Sequence, residues 1–365
     1  MSLSVIFLFL VILLVLVIAH EFGHFIIAKW MKMRVDEFAF GFPPRLFAKK
    51  KGETTYIVNT LPLGGYVSIW GENGTPDDEA KTNPRAFGNR PWWAQIFVLL
   101  AGVLMNMLLA WIIFIGISYG NVQISTDDPI YGSRVKESVL VVADASPESP
   151  AYRAGIVPGS ILLKVVSGGQ SANLSTATST VQFIGSHTDQ SFVITYKKTD
   201  GTITTTTVAA VYGLIPDKKA LGISVDKIGV VKTTFLEAIK IGTERTYDVT
   251  RLTLQGLWSL VSSVKNGDGV LQSLSGPVGI AKIVGQASEY GYIAVLTLVA
   301  VLSINLAIFN ALPLPALDGG RIVVVFIEAA IRRRIKHAYY AWINVAGFLA
   351  LMVLLVVVTI HDIYK

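Results

Sequence analysis

Three residues near the start of the chain, His20, Glu21 and His24, form the word His-Glu-Phe-Gly-His at the end of an apolar run. On a helix the two imidazoles lie one turn apart on one face, where both reach a single divalent cation. Glu21 then stands beside the open position of that cation, placed to take a proton from a water. A third ligand comes from far along the chain. In the segment Asn310 to Gly320 (NALPLPALDGG), Asp318 is the only acid between Glu289 and Glu328. The prolines and glycines around it break a helix, and the freed backbone groups need a buried cavity. Two imidazoles and a carboxylate with one position open make a catalytic zinc (Zn2+) site. The chain has no cysteine, so thiolate zinc sites and disulfides are excluded.

These residues need elements to hold them, and composition says what kind. The chain has 365 residues, 52% hydrophobic and 15% charged, with a mean hydropathy of +0.55. That is a membrane protein with room for a modest soluble domain. Leu3 to Ala19 is apolar apart from Ser4, so His20 and His24 sit at the end of a spanning segment, where ionisable groups are functional by default. The run lacks a basic leader region and a small-residue cleavage site. It continues through Phe25 and Ile26, and Leu3 to Ala28 is expected to be one retained helix. Further spans are expected at Ala94 to Ile117, Tyr292 to Leu312 and about Trp342 to Ile360, with Trp92 and Trp93 as interfacial anchors. Asn106, in the middle of the second span, reads as helix-helix glue or as a contact behind the metal ligands.

Between the first two spans, Phe38 to Phe47, Thr55 to Asn59 and Leu61 to Trp70 read as short strands broken by Gly and Pro. Leu61 to Ile69 is too short to span. It fits a hairpin dipping into the interface beside the metal helix, the alternative being an ordinary cytosolic hairpin. From about Ser133 to Val231 the chain turns polar and rich in threonine, with β-branched runs separated by turns, as in a small soluble domain. Thr233 to Lys265 is too polar to span and reads as an amphipathic helix.

The expected organisation is a first membrane half at 1–120, a soluble domain at 133–231, an amphipathic linker region at 232–291 and a second membrane half at 292–365. Odd-numbered spans run the same way, so the ends carrying His20, His24 and Asp318 share one face. The loops on that face are the densest in basic residues, which makes it cytosolic and puts the soluble domain and both termini outside. The net charge of +6 is accounted for by this orientation, and no nucleic-acid motif is present.

Ser149 to Lys164 (SPAYRAGIVPGSILLK) resembles the signature of PDZ domains in proteases, with Ser160 where that signature usually has Asp. HEFGH, LPLGGY, this PDZ-like stretch, SGPVGI and NALPLPALDGG follow one another in the order found in bacterial site-2 proteases of the regulator-of-sigma-E type. The likeness covers nearly the whole chain. It implies a polytopic α-helical membrane protein of four spans, with a membrane-associated β-hairpin and an inserted extracytoplasmic PDZ-like α+β domain, in a bacterial inner membrane. It implies His20, His24 and Asp318 as zinc ligands, Glu21 as general base and Asn310 as a substrate-holding or oxyanion-side residue. The stretch from Leu61 through Gly64, Gly65 and Tyr66 to Ile69 would pair with an unwound substrate. The implied reaction is hydrolysis of peptide bonds within or next to transmembrane segments of single-pass membrane proteins, such as anti-sigma factors or signal-peptide remnants. The PDZ-like groove would take a peptide as an added strand. Two departures stand out: Val103 replaces the proline expected after Ala101-Gly102, and one PDZ-like stretch is present where the best-known members have two. An inactive membrane scaffold recruiting partners through the PDZ-like domain, and a metal- or proton-linked transporter, are the alternatives. The intact metal residues weigh against the first, and the absence of an inverted repeat of the pattern against the second.

Overall fold

A computed structural model describes all residues except 1, 73–78, 80–81, 129–131, 136, 147–148, 216–217, 267–275, 334, 336 and 365. The first residue of SGPVGI, Ser275, and two of the basic residues after the third span, Arg334 and Lys336, therefore lie outside the described residues. The chain divides into two compact units, one of 1–117 with 240–365 and one of 118–239.

The first unit is largely helical, and among the described residues four of its helices are long and apolar enough to cross a membrane. They are α1 (Leu3–Trp30), α2 (Trp92–Ile117), α7 (Tyr292–Ala311) and most of α9 (His337–Tyr364). At about 1.5 Å per residue each exceeds the roughly 30 Å of a bilayer core or comes close to it. Much of their apolar surface faces outward, as a lipid-solvated helix requires, while buried contacts run along their shared seams. The α1–α2 seam is closed by glycine: a Cβ on Gly23 would stand 2.3 Å from the Ala101 carbonyl oxygen. Small residues allow this approach, on which van der Waals packing between membrane helices depends.

Between α1 and α2, β1 (Val35–Lys51) and β2 (Thr54–Ile69) form a hairpin turning at Gly52. Both strands run unbroken through the Gly and Pro residues that read as strand ends in the sequence, because bulges and register shifts absorb them. Residues 37–40 pair on one side with 65–68 and on the other with 55–58. The segment 61–69 is thus an edge, and no other described strand pairs with it. The root of the hairpin, Val35 and Ile69, packs with Met33, Phe87, Val98, Leu99 and Val325 in one buried cluster.

After α7 the chain turns sharply through residues 312–317 into α8 (Asp318–Ile331). Asp318 is therefore the first residue of a new helix, where the sequence suggested only a broken end. The turn is braced by α9, whose Asn344 Oδ1 accepts from the Ala316 amide at 3.1 Å. α6 (Pro277–Glu289) begins in the SGPVGI stretch and is capped from α9, since Asp362 Oδ2 accepts from the Gly279 amide at 2.7 Å. α5 (Phe235–Asn266) is amphipathic. Beyond residue 240 it lies along the spans, with Thr243 accepting from Trp111 Nε1 and Thr253 donating to Asn305 Oδ1.

The second unit is a seven-stranded sheet. Its strands are β3 (Gly120–Ser125), β4 (Ser138–Ala145), β5 (Ile161–Ser167), β6 (Gln170–Ser171), β7 (Ser191–Lys197), β8 (Ile203–Ala209) and β11 (Ile223–Thr233). The order is β3-β11-β4-β5-β7-β8, with β6 on β5, and β9 (Val211–Ile215) pairs separately with β10 (Lys218–Ala220). A short helix, α3 (Pro150–Arg153), and α4 (Ala177–Ser186) complete it. The unit is wider than the 133–231 stretch because β3 pairs with residues 228–233 of β11. Ser160, buried, accepts from the Val157 amide at 3.3 Å, so serine closes the turn that an aspartate would otherwise close.

Candidate metal centre

α1 presents His20 and His24 one turn apart, both buried at 7% and 8% exposure. The start of α8 brings Asp318 against them. The His20 Nε2 to His24 Nε2 distance is 3.1 Å, and Asp318 Oδ2 lies 3.0 Å from the first and 3.3 Å from the second. Three donors on a tetrahedral ion with bonds of about 2.0 Å stand about 3.3 Å apart. The observed triangle has that size.

The chemistry of the donors fits a cation at the centre of that triangle. Asp318 Oδ2 has no acceptable hydrogen bond despite its short distances to two ring nitrogens. The three atoms cluster within reach of one another, as donors around a single cation do. His24 Nδ1 is 2.8 Å from the Val98 carbonyl oxygen, which can only accept. That bond fixes the proton on Nδ1 and leaves the Nε2 lone pair for a ligand. Gly102 makes the room, since a Cβ there would lie 2.4 Å from His24 Nε2 and 2.7 Å from His20 Cε1.

A cavity of 200 Å³ opens at the centre, lined by His20, Glu21, His24, Tyr66, Val67, Ile69, Glu72, Asp318 and Arg321. Glu21 is half-buried on its wall. Gly65 is pressed against α1, where a Cβ would stand 3.6 Å from Glu21 Cγ. Tyr66 donates to Glu37 Oε2 at 2.9 Å, which anchors its ring. The edge segment of β2 therefore forms one wall of the cavity. The opposite side is tied down by Arg321, one turn past Asp318, whose Nη1 meets Glu72 Oε1 at 2.6 Å with little exposure of either side chain. This ion pair couples α8 to the end of the hairpin.

The structure brings His20, Glu21, His24, Asp318 and Tyr66 to one cavity, with Gly65 just behind it. Leu61 is exposed and paired with Phe42 at the far end of the edge segment, and Gly64, with φ of 153°, packs on the Phe42 ring. Neither lines the cavity. Asn310, half-buried at the end of α7, is also absent from its lining. Asn106 is fully buried with neither amide atom hydrogen-bonded, while its backbone oxygen accepts from Ser303 at 2.8 Å. Three residues of this neighbourhood have no signature in the sequence: Val98, Glu72 and Arg321. A fourth, Gly102, stood in the Ala101-Gly102 pair of the resemblance, without its place beside the histidines.

A membrane protein with two buried histidines and a half-buried aspartate gathered at the junction of α1, α2 and α8 belongs to a definable class. The profile of peptidase family M50 matches residues 8–354, and the chain belongs to that family. It is 34% identical over 349 residues to a Clostridium perfringens protein provisionally named a zinc metalloprotease, covering 95% of each chain. It is also similar to zinc metalloprotease RasP of Geobacillus kaustophilus, at 29% identity over 98% of this chain and 97% of that one. Regulator of sigma-W protease RasP of Bacillus subtilis is 27% identical, with 98% and 97% covered.

Proposed function

We propose that the protein is a zinc endopeptidase of the bacterial inner membrane that cleaves membrane proteins within or next to their transmembrane segments. The observation that carries this is the triangle of His20, His24 and Asp318 with Glu21 on the wall of the same cavity. His20, His24 and Asp318 would hold the zinc, and bound zinc supplies Lewis-acid activation of water and of the scissile carbonyl at neutral pH. Glu21 accepts the proton of the attacking water and returns it to the leaving amine. The cavity is walled by α1, the end of the hairpin and the start of α8, and a substrate filling it would exclude water and strengthen the charge interactions inside.

A transmembrane substrate hides its carbonyls in helical hydrogen bonds and must unwind to be cut. The edge segment 61–69 has a free side beside the cavity, and strand pairing there would replace the bonds lost. Asn310 would act only if substrate entry moved the end of α7 toward the cavity. The 118–239 unit is assigned a PDZ-like role in substrate selection, outside the cytosol. Supporting this is a 490 Å³ groove between α4 and the start of β11, lined among others by Val181, Ile184, Leu221 and Ile223. Among the described residues, 223–226 of β11 pair only with β4, which leaves their other edge for an added strand. The basic residues in the loops on the side of the metal centre support a cytosolic position for that side.

The test is Glu21→Gln, reconstituted with a membrane-embedded peptide. The variant keeps its zinc and loses about 100-fold or more of the cleavage rate. Cleavage at the wild-type rate would refute Glu21 as the base, and no cleavage by a zinc-loaded wild type would refute the protease reading for that substrate class.

A further inference from the structure

A second concave site lies at the other end of α8. It is a pocket of 180 Å³ between the first turn of α2 and the last turn of α8, lined by Gly88, Trp92, Gln95, Val325, Glu328, Ala329, Arg332 and Arg333. Its character differs from that of the metal centre. Arg332 and Arg333 are exposed, and among the described residues no carboxylate pairs with either. Glu328, the one acid in the lining, has Oε1 turned to the Ile335 amide at 2.8 Å. The first turn of α2 contains no acid, so the positive end of its helix dipole adds to the potential at the rim.

The level of this pocket in the membrane is marked by aromatic residues. Trp92 is half-exposed, and its ring lies 5.8 Å from that of Phe326, which faces outward with Val323, Ile327 and Ile331. Tryptophan at the end of a span stands at the headgroup level. A basic cleft between helices at this level, floored by the buried Gln95 and walled by an indole, suits a phosphate with acyl chains running down the apolar face of α8. Arginine favours such an anion through its planar fork of donors.

We infer that this pocket binds the phosphate headgroup of an anionic phospholipid. Because α8 begins at Asp318 and ends beside Arg332, the lipid pins the far end of the helix that carries a metal-site residue. The inference rests on the membrane setting of the chain and not on its peptidase activity, and lipid retention reports on it alone.

The experiment is native mass spectrometry of the full chain released from nanodiscs made of equal parts phosphatidylglycerol and phosphatidylcholine. The wild type retains phosphatidylglycerol over phosphatidylcholine by about tenfold or more. Arg332→Gln with Arg333→Gln brings the two lipids to parity. Ala329→Phe fills the pocket while keeping both arginines and the basic loop that orients the chain, and it also abolishes the preference. An equal hold on both lipids by the wild type would overturn the inference. A preference that survives in Ala329→Phe would overturn it too, since surface charge alone would then suffice. Inorganic phosphate distinguishes a free anion from a lipid: thermal stabilisation by millimolar phosphate in neutral detergent equal to that by phosphatidylglycerol would overturn the lipid assignment.

Discussion

Around His20, His24 and Asp318 the backbone comes so close that Gly23, Gly102 and Gly319 leave no space for a Cβ. The core of the 118–239 unit is filled instead by Val, Ile, Leu, Phe and Tyr side chains such as Val142, Val165, Phe192 and Ile194, all fully buried. In the first region the position of each atom matters, and a single methyl group at Gly102 would press on the His20 and His24 rings. In the second, total apolar volume matters and position is shared over many contacts. The lesson is that the membrane region concentrates its geometry in a few residues where no atom can be added, whereas the sheet spreads its stability over many interchangeable apolar contacts.

Three substitutions sharpen that contrast. Phe192→Ala empties a fully buried site in the sheet and is expected to destabilise the 118–239 unit by about 3–5 kcal/mol. In calorimetry it lowers the unfolding transition of that unit and leaves zinc content unchanged. Zinc lost along with the sheet would show that the two regions are not separable in this way. Gly102→Ala does the reverse. It pushes on the His20 and His24 rings and weakens zinc by about 10- to 100-fold in chelator competition, with little change in the sheet. Unaltered zinc affinity would mean that the helices separate freely at their crossing.

The smallest effect falls at the surface of the first unit. Lys29 donates to Glu53 at 2.6 Å and Arg85 donates to it as well. The Lys29 bond, foremost, holds the Glu53 carboxyl below its ordinary value. A depressed folded-state value means that this stability is present above the unfolded-state value near pH 4 and is lost as the pH falls through the lowered one. Glu53→Gln is therefore expected to cost less than about 1 kcal/mol at pH 7 and nothing once the pH is below both values. An undiminished difference in strong acid would assign the effect to packing.

The legibility of the two regions in the sequence follows the same division. His20, Glu21, His24 and Asp318 could be picked out because ionisable residues at the ends of apolar runs have few other reasons to be there. The four long apolar helices were readable for the same reason of composition. Glu72 and Arg321 could not be paired, since nothing local distinguishes them from solvated charges until the turn at 312–317 lays α8 beside the hairpin. The strands of that hairpin read as shorter than they are because Gly41, Pro43, Pro44 and Pro62 look like ends, and bulges carry the ladder past them. β3 went unread because six residues after a span carry little pattern of their own, and its partner lies in β11, at the far end of the unit. Asn310, expected near the chemistry, stands outside the cavity lining, which a residue-by-residue likeness has no means to foresee.

Zinc per chain, counted by elemental mass spectrometry on purified wild type, His24→Ala and Asp318→Ala, is the most direct measurement of the central claim. One zinc in the wild type, lost or greatly weakened in both variants with their helical content intact, is the result expected if two distant segments build one metal centre. A folded wild type without zinc, or zinc held undiminished by Asp318→Ala, would contradict it.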